Sequence, residues 1–292
     1  MSETVFSING RIVSEADALI PVTDRGFLYG DGLFETMHAY GQAIFCLREH
    51  LQRLQRGARR IFFAPLPDIR QIQRWLSRSV AAAGFPEANV RLTVTRGCGP
   101  RGPSIPGTLR QNAVITVTRH QRHAQRPRQG ARAIIASFRR QESAITARLK
   151  TLNYIEQILA RREADAAGAD EAILLNNAGL ICEGSSSNIA LVRNGEVAIP
   201  DPERAGALPG IAQLTALEAA RRLKIPVRLT MLSPWDPACS DEAFLTGSMR
   251  EITPLVLLGE QPIGSGRPGP ITKKLLAEYR RMVEKECRPF RY

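Results

Sequence analysis

The stretch DEAILLNNAGLICEGSSSNIALVRNGEVAI, residues 170–199, decides how the second half of the chain is built. Its first half, DEAILLNNAGLICEG, reads as strand, turn and strand. Its second half, NIALVRNGEVAI, is the clearest hairpin in the sequence. It turns at Asn194-Gly195, a pair that accepts the positive φ a tight antiparallel turn requires. Between them lies EGSSSN (183–188), which places a carboxylate, a glycine, three hydroxyls and an amide on a connection between two strands. Taken alone, such a run is an ordinary solvated turn.

Upstream, TARLKTLNYIEQ (146–157) contains the first lysine of the chain. Of the 40 basic residues, only Lys150, Lys224, Lys273, Lys274 and Lys285 are lysines. Arginine stays charged at physiological pH, whereas a lysine amine can lose its proton and act as base or nucleophile. Lys150 falls where a strand-like region passes into a helix, a junction that can aim a side chain into a cleft. Downstream, LPGIAQ (208–213) opens a helix, offering free backbone N–H groups and a positive dipole end to an anion. LTGSMREITP (245–254) adds a Gly/Ser turn after a strand, which can form an anion-binding backbone nest.

The remaining segments describe two α+β units. Residues 4–13 read as a hairpin around Asn9-Gly10, and GLFETMHAY with AIFCL as a strand pair around Gly41. LREHLQRLQRGARRIFF repeats apolar residues at helical spacing, and DIRQIQRWLSRSVAAAG is a helix ending at Gly84. NVRLTVTRG and NAVITVTRH are strands separated by a Gly/Pro-rich loop over 97–107. This predicts an N-terminal domain over 1–120, a linker over 121–130 and a C-terminal domain over 131–292. In the latter, ARAIIASF is a strand, and a helix after Lys150 carries apolar positions 152, 155, 158 and 159. A helix to about 223, a strand over 242–246 and a helix over 271–286 complete it.

Bulk properties narrow the class. A chain of 292 residues, 43% hydrophobic and 23% charged, has the composition of a soluble protein of two medium domains or one large one. It contains no apolar run of the roughly 18–20 residues that span a bilayer, and MSETVFSING lacks the pattern of a secretory leader. Five scattered cysteines without a CxxC pair argue against a disulfide framework or a zinc site, so a reducing, cytoplasmic setting and no metal are expected. The net charge of +12 invites a nucleic-acid reading. The densest basic segment, TRHQRHAQRPRQGAR (118–132), has no aromatic for base stacking and is broken by Pro127 and Gly130. It reads as a linker, and an anionic small ligand is preferred over nucleic acid or membrane.

Together the motifs TDRGFLYGDGLFET (23–36), EHLQRL (49–54), KTLNYIEQ, the 170–192 stretch, LPGI, DEAFLTGSMREITP and GPITKKL resemble one family over essentially the whole chain, in order. It is the class IV, fold-type IV family of pyridoxal-5′-phosphate enzymes, which includes branched-chain and D-amino acid aminotransferases and aminodeoxychorismate lyases. The resemblance implies an α+β fold of two domains, the larger C-terminal one built on a mixed, barrel-like sheet, and a homodimer or higher oligomer. It implies that Lys150 holds the cofactor aldehyde as a Schiff base and moves the α-proton. Arginine could not do this, because it supplies no neutral amine. Glu183 matches the carboxylate that keeps the pyridine nitrogen protonated.

Arg53, the amides of Ile211 and Ala212, and Ser248 match the family's phosphate cup. Tyr154 matches a residue near the phenolic oxygen, and Leu208 one on the ring face. Ala212 stands where the family often has threonine, which removes one hydroxyl donor. Asn188, Ser186 and Ser187 are expected to hold the loop that presents Glu183. Gly30, Gly32 and Gly210 are expected as turn glycines, and Asp24 and Asp31 as turn and cap residues.

Substrate residues follow less directly. Arg101 matches the position that binds the substrate carboxylate in D-amino acid and lyase members, but Pro103 stands where those relatives usually carry histidine or tyrosine. Tyr29, Leu33, Phe34 and Met249 are expected to line the pocket, each being also a plausible core residue. The tail GPITKKLLAEYRRMV resembles aminotransferases more than lyases. Transfer from a branched-chain or D-amino acid to a 2-oxo acid such as 2-oxoglutarate is therefore expected, ahead of an aminodeoxychorismate lyase and an (R)-amine transaminase.

Overall fold

Asn9 and Gly10 take φ values of 51° and 81°, so β1 (Thr4–Ile8) folds back antiparallel on β2 (Arg11–Val13). The computed structural model describes residues 4–63, 66–105, 107, 109–121 and 129–288, and element counts refer to these. Asp24 caps α1 (Arg25–Tyr29) by accepting from the Gly26 amide, as expected for a cap residue. β3 (Gly32–Tyr40), β4 (Ala43–Ile44), α2 (Leu47–Arg60), α3 (Ile69–Ala83), β5 (Glu87–Thr95) and β6 (Asn112–Arg119) follow. The strands form an antiparallel sheet in the order β2-β1-β6-β5-β3-β4.

Strand alternation gives this sheet two different faces. Leu33, Met37, Val90, Leu92 and Ile115 belong to one buried cluster with Leu51, Leu54, Ile72 and Leu76, residues of α2 and α3. Leu33, expected to line the pocket and also a plausible core residue, belongs to that cluster, one residue out of phase with Phe34. The opposite face carries Phe34, Thr36, His38 and Tyr40, paired in register with Thr93, Arg91, Asn89 and Glu87.

The later elements are β7 (Ala131–Arg140), α4 (Ile155–Ala166), β8 (Glu171–Asn176), β9 (Ile181–Gly184), β10 (Asn188–Arg193) and β11 (Glu196–Pro200). After them come α5 (Pro202–Ala205), α6 (Ile211–Arg222), β12 (Val227–Thr230), β13 (Glu242–Gly247), β14 (Glu251–Leu258), β15 (Gln261–Pro262) and α7 (Pro270–Glu286). A curled nine-stranded sheet runs β12-β11-β10-β13-β14-β7-β8-β9, with β15 on β14. It is mixed: β11–β12, β14–β7 and β7–β8 are parallel and the other pairs antiparallel. Ile173, Leu175, Ile181, Ile189, Leu191, Leu245 and Leu255 form its core.

α4 buries a different stripe from the one its apolar residues predict. Ile155, Ile158 and Leu159 are 64%, 58% and 47% exposed, while Gln157, Ala160 and Ala164 are buried. Ala160 and Ala164 pack against Ala172 and Leu174 of β8, where a small side chain permits close approach of helix to strand.

The chain divides into two compact units, Met1–Gln121 with Leu149–Asn153 and Val283–Tyr292, and Arg122–Arg148 with Tyr154–Met282. Lys150 groups with the first unit, although the expected boundaries put it in the C-terminal domain. Of the expected linker at 121–130, residues 122–128 lie outside the described residues. Among the described residues no helix is long and apolar enough to cross a membrane.

Candidate active site

In the first unit, backbone hydrogen bonds fix Lys150. Its carbonyl accepts from the Phe34 amide at 2.9 Å, and the Leu152 amide donates to Gly32 O at 3.1 Å. The Lys150 segment thus lies along the start of β3. Its Nζ stands 4.4 Å from the centroid of the Phe34 ring, and the Arg91 guanidinium lies 3.8 Å from the same centroid. Both distances are those of cation–π contact. Gly30, at φ 65°, ends α1, and its carbonyl accepts from Asn153 Nδ2 at 3.2 Å. A side chain at Gly30 would meet the Asn153 amide, so this turn glycine also keeps the lysine segment in place.

Arg53 is buried on α2. Its Nε and Nη2 donate to the two Glu35 oxygens at 2.9 and 2.7 Å, and His50 Nδ1 lies 2.7 Å from Glu35 Oε2. Burial works to raise the Glu35 pKa, but the charge and hydrogen bonds of Arg53 and the His50 bond outweigh it, holding the carboxyl at about 2. Burial pushes His50 below the ordinary histidine value, with Arg53 and Lys150 adding to that push and Glu35 opposing it. Glu35 and His50 were not singled out from sequence, although both stand inside the family motifs FET and EHLQRL.

Asp31 accepts from Arg25 and Arg96, which hold its carboxyl below the usual range against the opposing effect of burial. Tyr29 Oη accepts from the Gly102 amide at 2.7 Å, which ties it to the loop bearing Arg101. Arg101 itself is exposed.

In the second unit, Glu183 ends a buried strand and is 6% exposed. Its Oε1 is bonded to Arg140 Nη1. Its Oε2 accepts from the Leu208 amide at 2.8 Å and lies 3.4 Å from Asn188 Nδ2. Arg140 in turn donates to Ala147 O at 2.5 Å. Burial disfavours the Arg140 charge, yet the Glu183 carboxylate beside it raises the pKa above the ordinary arginine value. No local spacing marks Arg140, since 140 and 183 meet through the β7–β8–β9 ladder.

Asn188 Nδ2 also donates to Leu208 O at 2.8 Å. Gly210, the residue before α6, lies so close to Asn188 Oδ1 that any Cβ would collide with it. Gly210 has an ordinary φ of −71°, so proximity, not conformation, requires glycine. The buried Ile211 and Ala212 open α6, whose cap residue supplies no side-chain bond to their amides. Leu208 is half-buried and Tyr154 stands at the cap position of α4.

The serines of EGSSSN bind a carboxylate that sequence reading missed. Glu171, fully buried, accepts from the Ser185 amide at 3.0 Å and from the hydroxyls of Ser185, Ser186 and Ser187. Arg250 Nη1 lies 3.3 Å from the same carboxylate. Since β13 and β14 pair up to Gly247 and Glu251, Ser248, Met249 and Arg250 form the turn between them. Glu171 therefore ties that turn to the loop after Glu183.

The second unit thus holds a buried carboxylate, bonded to the Leu208 amide shortly before a helix whose first amides have no side-chain cap. The first holds the Lys150 amine over the Phe34 ring and, separately, the buried Arg53–Glu35 pair. The family model for amino-transferase class IV matches residues 32–258. The branched-chain aminotransferase of Thermoproteus uzoniensis, solved with norvaline, is 31% identical with a TM-score of 0.89, covering 97% of this chain and 95% of that one. The 4-amino-4-deoxychorismate lyase of Pseudomonas aeruginosa is 31% identical with a TM-score of 0.83, covering 96% and 98%. A Methanocaldococcus jannaschii protein provisionally named a branched-chain-amino-acid aminotransferase is 34% identical over 94% of each chain. The chain belongs to the class IV aminotransferases.

Proposed function

We propose that the enzyme moves an amino group from an amino acid, of branched-chain or D-amino acid type, to a 2-oxo acid such as 2-oxoglutarate. Its cofactor on this reading is pyridoxal 5′-phosphate, as the family implies. The observation that carries the reading is Glu183, a buried carboxylate held by Arg140 and the Leu208 amide immediately before the α6 N-terminus. Lys150 would hold the cofactor aldehyde, Glu183 the ring nitrogen, Tyr154 the phenolic oxygen and Leu208 the ring face. Arg53, the amides of Ile211 and Ala212, and Ser248 would hold the phosphate.

When bound, the cofactor supplies an electron sink for the pair left as the substrate's α-proton departs. The Lys150 amine would accept and return that proton, a general-base role that its backbone anchoring to β3 would keep in register. Arg140 holds the Glu183 carboxylate in place. Arg53, itself oriented by Glu35, would help neutralise phosphate charge, as would the α6 amides. Phe34 and Met249 would contact the substrate side chain, and Tyr29 would position the Arg101 loop for its carboxylate. The exposed apolar side chains of Val22 and Phe27, both 73% exposed, support a homodimer.

Borohydride reduction should fix the cofactor to Lys150, and Lys150→Ala should abolish both fixation and turnover. Glu183→Gln should retain cofactor and lose roughly 100-fold or more in turnover, the scale of one electrostatic partner in an active site. A panel of L- and D-amino acids with 2-oxoglutarate should give amino transfer. Pyruvate release from aminodeoxychorismate without amino transfer would replace this reading with lyase chemistry.

A further inference from the structure

Two of the chain's four histidines meet near one end of three interior strands of the first unit's sheet. His38 lies on β3, Glu87 opens β5 and His120 follows β6. The strand register brings them together. Tyr40 faces Glu87 and His38 faces Asn89, so His38 is a diagonal neighbour of Glu87 on the same face. Arg119 faces Ala88, which sets His120 beside Glu87, and the His120 amide donates to Glu87 O at 2.9 Å.

The side chains converge accordingly. His38 Nε2 and Glu87 Oε2 are 3.1 Å apart, and the His38 and His120 rings meet edge to face with centroids 4.4 Å apart. Tyr40 stacks on His38 at 4.0 Å, which fixes the ring plane. One ligand atom from each of His38, Glu87 and His120 lies within 4.8 Å of the other two. His38 is buried, while Glu87 and His120 are half-buried and leave a side open for an ion to enter.

We propose that His38, Glu87 and His120 form a binding site for a divalent transition-metal ion, with Zn2+ the best match. Donors about 2.0–2.2 Å from a tetrahedral ion stand roughly 3.3–3.5 Å from one another. The His38–Glu87 pair is already near that separation, and the third donor closes the set by side-chain rotation. Two imidazoles and one carboxylate suit zinc, copper or nickel, whereas magnesium and calcium prefer all-oxygen sets. Three protein donors leave a coordination position for water. The site needs no group from the cofactor region: His38 is four residues along β3 from Phe34, about 13 Å at strand rise. The absence of CxxC speaks only to thiolate sites, and a set assembled across three strands leaves no local spacing in the sequence.

The test uses the full-length, cofactor-loaded protein. Zn2+ titrated in competition with a chromophoric chelator should bind at one equivalent per chain with micromolar or tighter Kd. Zn2+ should also raise the thermal midpoint. His120→Ala and Glu87→Gln, both at half-buried positions near strand ends, should keep the metal-free midpoint and weaken binding at least tenfold. The Co2+-loaded protein should lack a thiolate charge-transfer band, which excludes the five cysteines as ligands. A Kd weaker than about 100 μM, an affinity unchanged in both variants, or a thiolate band would each overturn the site. In the first case the His38–Glu87 contact is a hydrogen bond and nothing more.

Discussion

Glu35 orients Arg53, the residue proposed for the cofactor's phosphate. A guanidinium has five donors in a fixed fork, and Glu35 occupies two of them in a buried, two-point contact. Glu35→Gln would leave the Arg53 charge buried without its carboxylate, at a cost of about 3–5 kcal/mol. The same contact sets a pH dependence. Glu35 titrates at about 2 in the fold, against 4.5 for an ordinary glutamate. The unfolded chain therefore takes up that proton first, and stability present above pH 4.5 is lost as pH falls toward 2. His50, depressed below 6.5, adds an earlier loss as pH drops through and below 6.5. Urea unfolding across pH should show both steps in the unaltered protein and a flattened lower step in Glu35→Gln. An unchanged acid limb would mean that Glu35 is not held as described.

The same residues show where sequence reading reaches its limit. Lys150 and Glu183 could be singled out as candidates because each lies in a motif with a chemical reason for its residue type. Arg140, Glu35 and Glu171 were not, because each acts through a partner from a different element. Ser186 and Ser187 were expected to steady the loop after Glu183, and they do, but through Glu171, which opens the fully buried strand EAILLN and whose partners come from another segment.

At the scale of elements, the hairpins at Asn9-Gly10 and Asn194-Gly195 were readable because turn chemistry is local. The exposed stripe of α4 was not: periodicity shows that a helix has an apolar face, but only packing decides which face is covered. Here alanines win, since they let the helix lie close to β8. The start of α6 depends on a similarly close approach. Gly210→Ala would drive a methyl group into Asn188, which holds both Leu208 O and Glu183. The variant should fold but shift the helix N-terminus, and cofactor affinity should fall at least tenfold, readable by equilibrium dialysis of pyridoxal phosphate. Undiminished affinity would separate the α6 amides from phosphate binding.

For the molecule as a whole, repeated α+β grammar suggests two domains, but it carries no sign that residues 149–153 group with the first compact unit. Those residues follow a β7 strand and precede α4, so chain order places them with the second unit, while their backbone bonds run to β3 of the first. The exposed Val22 and Phe27 make a prediction at this scale. Light scattering should give twice the 32.2 kDa chain mass, and Phe27→Asp should shift the population toward a single chain. A single-chain mass for the unaltered protein would remove the dimer.

The two-faced character of β3 limits how this enzyme can diversify. Adding or deleting one residue between Gly32 and Tyr40 would exchange the faces beyond that point, sending Glu35 or Leu33 toward the lysine and Phe34 into the hydrocarbon interior. Length variation is thus closed to this strand, and on the proposed pocket new substrate preferences would come from replacements at Phe34 or from changes in the 97–107 loop. Libraries aimed at altered specificity would be better spent there than on indels near the motif.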